Sequence, residues 1–125
     1  MKINIKATGI MLTEAIKNYV DKKISTLNKF LDNYPDSVVQ VEVGKSTGHH
    51  KSGDVFLAEV HITGQGLDIY ARSEQPDLYA SIDIVRDEIS QKILSIKDKK
   101  DTLTRRGGRI IKEMMKGINF FRRKN

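Results

Sequence analysis

The sequence has no cysteine, no tryptophan and only two prolines in its 125 residues. Without cysteine there is no disulfide framework, no Cys-ligated zinc or iron–sulfur site and no thiol nucleophile. No stretch approaches the roughly 20 apolar residues that cross a bilayer, and the opening MKINIKATGI lacks the apolar run of a signal peptide. We therefore expect one soluble, cytoplasmic domain with no redox chemistry and no segment that spans a membrane.

Positive charge is concentrated at one end of the chain. The protein carries a formal net charge of +6, but residues 1–96 sum to −2 and residues 97–125 sum to +8. Each cation placed beside a phosphate releases condensed counterions, so such a segment favours polyanions. Nucleic acid and anionic membrane both fit this pattern.

Four short segments alternate apolar and polar residues, as half-buried strands do. They are residues 2–6, 39–43, 56–62 and 67–71. Gly64-Gln65-Gly66 predicts a tight hairpin between the last two, whereas residues 46–53 predict a longer polar loop. An antiparallel sheet with one covered face is the simplest arrangement of these strands.

Two longer segments repeat apolar residues at steps of three and four, the spacing of an amphipathic helix. The first follows Thr13 as N-cap and carries Ile16, Tyr19, Val20, Ile24, Leu27, Phe30 and Leu31. The second has Pro76 in its first turn and Asp77 at its positive end, and carries Leu78, Ile82, Val85, Ile89, Ile93 and Ile96. The order β-α-β-β-β-α predicts a two-layer α+β domain, with a four-stranded sheet and both helices packed on one face.

The C-terminal segment is a separate feature. We expect the domain to span residues 1–100 and a basic tail, partly helical, to span residues 101–125, with a break at Gly107-Gly108. The tail includes the apolar residues Met114, Met115, Ile118, Phe120 and Phe121. RNA binding, packing on a partner or a second copy, and contact with a membrane surface all remain open for this segment.

No arrangement of residues predicts catalysis or a bound cofactor. His49 and His50 are adjacent in the polar loop and lack a third ligand at a usual offset, so we expect no metal site there. His61 is expected to be a partly exposed strand residue, and Asp77 and Asp83 a dipole-complementing and a solvated carboxylate. We expect neither an enzyme nor a small-molecule substrate.

Before any family is considered, two classes of function fit these residues. Lys22, Lys23 and Lys29 on the first helix, with Arg86 and Lys92 on the second, are either a phosphate-binding ridge or a solvated face. The order α-β-β-β-α also occurs in double-stranded RNA-binding domains, but there the second helix is expected to open with lysines, and QPDLYASID is acidic. The alternative class is a regulatory protein-interaction module that docks through the tail.

Two parts of the sequence together resemble the bacterial ribosome hibernation factors, also known as the sigma-54 modulation protein family. The first is the opening strand followed by LTEAIKNYVDKKISTLNKF, and the second is the three-strand meander that ends in IYARSEQPDLYASIDIVRDEI, which includes the run from Asp77 to Asp83. The resemblance covers roughly residues 1–100, and the chain corresponds to a short form of the family. The Asp-x-Tyr-x-x-Ile-Asp run is its most specific part.

The resemblance implies a protein that occupies the channel between head and body of the small ribosomal subunit, so that no membrane partner is expected. It would cover the mRNA path and the A- and P-site tRNA positions, contacting 16S rRNA and ribosomal proteins without performing any chemistry. Lys23 and Lys29 match basic positions on the family's first helix, and Lys97 and Lys99 match the basic end of the second. From their placement we add as rRNA-binding candidates Lys22, Arg86, Lys92, Lys100, Arg105, Arg106 and Arg109.

The chain departs from the family at four usually basic positions. It has Thr26 on the first helix and Glu88, Gln91 and Ser95 on the second. We hypothesise that the cationic tail supplies phosphate contacts that the body has lost. Self-association through the tail is a further possibility that the sequence leaves open.

Overall fold

The computed structural model describes residues 1–46 and 53–115, and it describes side chains as far as residue 99, except that of Ser46. Its elements in chain order are β1 (Lys2–Thr8), α1 (Glu14–Ser25), a 3₁₀-helix (Thr26–Phe30), β2 (Val38–Ser46), β3 (Val55–Gly64), β4 (Leu67–Gln75) and α2 (Leu78–Met115). The order β-α-β-β-β-α and the α+β class are as predicted. Within the described residues no helix is both long and apolar enough to cross a membrane.

The sheet is mixed, with strand order β1-β2-β3-β4. β2, β3 and β4 pair antiparallel, but β1 pairs parallel to β2, with Lys2 beside Val38 and Thr8 beside Gly44. The expectation of an antiparallel sheet was therefore wrong for its first pair. A helical connection returns the chain to the end of the sheet at which it started, which makes the next strand parallel. Gly44 permits this pairing, because a Cβ there would lie 2.5 Å from the Thr8 carbonyl oxygen.

The predicted hairpin between β3 and β4 is confirmed. Gly64 pairs with Leu67, which leaves Gln65 and Gly66 as a two-residue loop. Their φ angles of 52° and 86° are both positive, as a type I′ turn requires. The longer loop between β2 and β3, with His49 and His50, lies outside the described residues.

The core lies between one face of the sheet and the helices. The sheet contributes a buried row from each of its last three strands, including Val39, Val41 and Val43 of β2 and Ala58, Val60 and Ile62 of β3. The helical segments contribute Val20, Ile24, Leu27, Leu78, Ile82, Val85 and Ile89. The predicted apolar stripe of α2 is buried as far as Ile93, but Ile96 is 40% exposed.

Both helix starts have side-chain caps. Thr13 Oγ1 accepts a hydrogen bond from the Ile16 N–H at 3.2 Å, which confirms the predicted N-cap. At α2 the cap is Asp77, whose carboxylate accepts from the Ala80 N–H at 3.0 Å. Pro76 therefore precedes the helix and does not occupy its first turn. The first predicted helix is also shorter, because the α-helix ends at Ser25 and continues as the 3₁₀-helix.

α2 continues through Gly107 and Gly108, so the predicted break there was wrong. Two glycines weaken a helix by about 1 kcal/mol each relative to alanine, whereas the Arg, Lys, Leu, Ile and Met residues around them favour it. The chain divides into two compact units, Met1–Lys92 and Ile93–Asn125. The proposed domain boundary at residue 100 stays a prediction.

Candidate nucleic-acid interface

The helical layer of the first unit contains a shallow, open cavity lined only by polar side chains. The segment that ends α1 contributes Lys23 and Thr26, and α2 contributes Asp83, Arg86 and Asp87. Steps of three and four place each set on one face of its helix. Two cations and two carboxylates therefore meet where the two helical segments lie side by side.

Asp83 is the most constrained acid of this cavity. Its Oδ1 accepts a hydrogen bond from the Tyr19 hydroxyl at 2.7 Å and lies 3.3 Å from the Lys23 ammonium nitrogen. Tyr19 is itself held by Tyr79, with ring centroids 4.8 Å apart in an edge-to-face contact. Asp83 was expected to be a solvated carboxylate, and its side chain is 42% exposed, but the packing of α1 beside α2 also gives it two partners.

Arg86 is held in place by Thr26. Its Nε donates to Thr26 Oγ1 at 2.7 Å, and the Thr26 hydroxyl donates to the Lys23 carbonyl at 2.5 Å. Arg86 also contacts Asp87 at 3.2 Å, but that carboxylate has a side chain 74% exposed, whereas the Arg86 side chain is 21% exposed. Thr26 therefore orients a neighbouring cation, although it carries no charge itself.

The other candidates in the first unit have different surroundings. Lys29 is exposed, with its ammonium 5.1 Å from the centre of the Phe30 ring, and it lies in the 3₁₀-helix. Lys22 is exposed, and none of the ion pairs among the described residues includes it. Lys92 donates to the Tyr70 carbonyl of the edge strand β4 at 2.5 Å.

In the second unit Lys97 and Lys99 are exposed on α2. Lys100, Arg105, Arg106 and Arg109 belong to the same helix, but their side chains lie outside the described residues. Glu88 and Gln91 of the first unit and Ser95 of the second, which the resemblance marked as departures from the family pattern, are all exposed.

The helical layer of the first unit is electrically balanced. Residues 14–30 and 77–92 together carry six Lys or Arg and six Asp or Glu. Long-range attraction of this layer for a polyanion is therefore weak, and any phosphate binding depends on which cations are locally available.

The exposed face of the sheet is also polar, and many of its side chains contact one another. A row of charges crosses all four strands, with Lys6 beside Glu42, Glu42 beside Glu59, and Glu59 beside Arg72. Thr8 donates to Glu42, Tyr70 donates to Glu59, and His61 contacts Asp68 at 2.6 Å. His61 is thus a partly exposed strand residue, as predicted, and among the described residues no group of three metal ligands is present.

Tyr19 provides a spectroscopic test of the cavity. Its hydrogen bond to Asp83, its burial and the nearby carboxylates raise its pKa to about 12. Because the folded-state pKa lies above the unfolded value, this interaction stabilises the fold fully below pH 10 and is lost as the pH rises towards 12. In an ultraviolet titration, Asp83→Ala, which removes the acceptor and its charge, should move one tyrosine transition down towards its ordinary value of about 10, whereas Asp87→Ala should leave it in place. An unchanged titration in Asp83→Ala would contradict the hydrogen bond.

The geometry alone does not identify the family of this chain, but comparison with known proteins does. The family described as Sigma 54 modulation protein / S30EA ribosomal protein matches residues 3–101. Ribosome hibernation promoting factor of Escherichia coli K12 is 31% identical over 99 residues, which are 79% of this chain and 96% of that protein. Ribosome hibernation promotion factor of Picosynechococcus sp. is 32% identical over 100 residues, but the match covers only 50% of that longer protein. The N-terminal domain of Thermus thermophilus Protein Y has a similar structure, with a TM-score of 0.57, 28% identity, and coverage of 74% of this chain and 96% of that one. The four-stranded mixed sheet, its two helices and this match along residues 3–101 show that the chain belongs to the Sigma 54 modulation protein / S30EA ribosomal protein family.

Proposed function

We propose that this protein is a ribosome hibernation factor, which binds the ribosome and suppresses translation. The observation that carries the proposal is the match to the Escherichia coli factor, which extends along 96% of that protein and is not confined to a short motif. The fold agrees with it, since the chain has the same architecture as the Protein Y domain.

The finer proposal concerns where and how the protein acts. It lodges in the channel of the small subunit, where mRNA and tRNA would otherwise bind, and it contacts 16S rRNA through basic side chains. Within the first unit Lys22, Lys23, Lys29 and Arg86 support such contacts, because they lie on the helical segments. The mechanism is steric occlusion without catalysis, and a protein that acts on the ribosome works in the cytoplasm.

Co-sedimentation with purified small subunits tests this proposal. We expect the protein to pellet with the subunits, to release them as the salt concentration rises, and to stop a purified translation system when added in excess. A protein that stays in the supernatant and leaves translation unaffected would overturn the proposal. Flotation with anionic liposomes, in the absence of subunit binding, would favour the membrane-docking alternative.

Exposed cations of the helical layer can be tested singly. Lys29→Glu should weaken subunit binding, because it replaces an attraction to phosphate by a repulsion. Its free energy of unfolding should stay within about 0.5 kcal/mol of the wild type, as is usual for exposed positions. Lys2→Glu makes the same charge change on the exposed face of the sheet and serves as the control. Equal losses of binding in both variants would show that net charge alone matters.

A further inference from the structure

The cavity between the two helical segments contains two ion pairs, which differ in whether the anion or the cation is held by a further hydrogen bond. In the pair of Lys23 with Asp83, the anion is fixed, because the Tyr19 hydroxyl holds the same Asp83 oxygen that faces Lys23. In the pair of Arg86 with Asp87, the cation is fixed by Thr26, and the anion is the exposed partner.

This difference matters when an RNA phosphate approaches the cavity. The exposed Asp87 side chain can rotate into solvent and leave Arg86 to the phosphate. Asp83 cannot withdraw without losing its hydrogen bond to Tyr19, which is anchored by Tyr79 in turn. A phosphate that takes Lys23 must therefore draw the ammonium away from a carboxylate that stays beside it.

Resting on the proposed function, we propose that Asp83 is a built-in counter-ion that limits the affinity of the cavity for RNA phosphate. Arg86 is the cation that is oriented for phosphate, and Lys23 is the one that Asp83 restrains. Thr26 belongs to the same arrangement, because it orients Arg86 and so strengthens the position at which a phosphate binds.

The position of Asp83, and not the charge balance alone, distinguishes it from the other carboxylates of the helical layer. The layer has as many carboxylates as cations, and Asp83 is the carboxylate placed so that it competes with phosphate for a cation. Phosphate binding at Lys23 is then weaker than the charge of Lys23 alone would give.

The test compares Asp83→Asn with Asp87→Asn in the full chain. Both substitutions remove one negative charge from the same cavity, and the asparagine oxygen at position 83 can still accept from Tyr19. We expect Asp83→Asn to bind small subunits about two- to fivefold more tightly, the equivalent of one exposed ion pair. The slope of log affinity against log salt should steepen by up to about one, as for one additional phosphate contact. Asp87→Asn should change both quantities less.

Two further variants test whether the gain in binding comes from Asp83 restraining Lys23, and not from the change in net charge or from misfolding. In a Lys23→Gln background, Asp83→Asn should bring no gain, because the restrained cation is absent. Tyr19→Phe releases the Asp83 carboxylate without changing the charge, and should tighten binding in the same direction but less; it tests the idea even if Asp83→Asn fails to fold.

The outcomes distinguish this inference from the proposed function. Weaker binding by Asp83→Asn, or equal gains in Asp83→Asn and Asp87→Asn, would overturn the role of Asp83 while leaving ribosome binding intact. A wild-type protein that binds no subunits would instead overturn the proposed function itself.

Discussion

Ile82→Ala and Ile89→Ala are each expected to lower the free energy of unfolding by about 2–5 kcal/mol. Ile82 is 1% exposed and Ile89 is completely buried, and both lie where α2 packs into the core of the first unit. Each truncation removes apolar contacts and leaves a cavity that close-packed neighbours fill only in part. Urea denaturation followed by circular dichroism measures the change.

Ile84→Ala is the matched control for these variants. Ile84 belongs to the same helix and undergoes the same substitution, but it is 36% exposed. Its loss of stability should be clearly smaller, within about 1 kcal/mol, because much of its side chain is in water in the folded state. Equal losses at positions 82, 84 and 89 would contradict the prediction, because alanine is the better helix former and the cost is expected to come from lost packing alone.

Deletion of residues 107–125 should produce the largest loss of ribosome binding. The segment carries six Lys or Arg and one Glu, whereas the helical layer of the first unit has no net charge. If all six cations contact RNA phosphates, their removal should flatten the salt slope by about 4–5. We expect a loss of affinity of at least about tenfold at low salt, measured by co-sedimentation over a salt series.

A full-length variant that lacks the positive charges of the tail separates the effect of charge on binding from the effect of chain length. Replacement of Arg109, Lys112, Lys116, Arg122, Arg123 and Lys124 by Gln keeps the apolar residues and should reproduce the flattened salt slope. If the deletion weakens binding but this variant does not, the apolar residues of the tail carry its role. If neither variant changes binding, the compensating role of the tail is wrong.

The order of elements could be predicted because it depends on local periodicity. The apolar steps of three and four in α1 and α2, the alternation in the strands and the Gly64-Gln65-Gly66 turn each act within a few residues. The Asp-x-Tyr-x-x-Ile-Asp run, with the preceding segments, identified the family that the match to residues 3–101 shows.

Predictions that depended on distant partners were less successful. The parallel pairing of β1 with β2 joins strands separated by α1. The alternation within each strand does not indicate its direction, and the signal that could have done so was the helical connection in the predicted β-α-β order. The continuation of α2 through Gly107-Gly108 contradicts a local breaker signal, since the surrounding residues favour a helix.

For the candidate interface, the sequence by itself determined which cations are present, where their charge is concentrated and which family the chain resembles. Only the tertiary structure decided that Asp83 binds Tyr19 and Lys23, that Thr26 orients Arg86 and that Lys92 contacts the edge strand. Tyr19 and Asp83 are 64 residues apart, and Thr26 and Arg86 are 60 apart. Charge and periodicity are properties of residue order, but a hydrogen bond between two helices exists only when packing brings their side chains within about 3 Å.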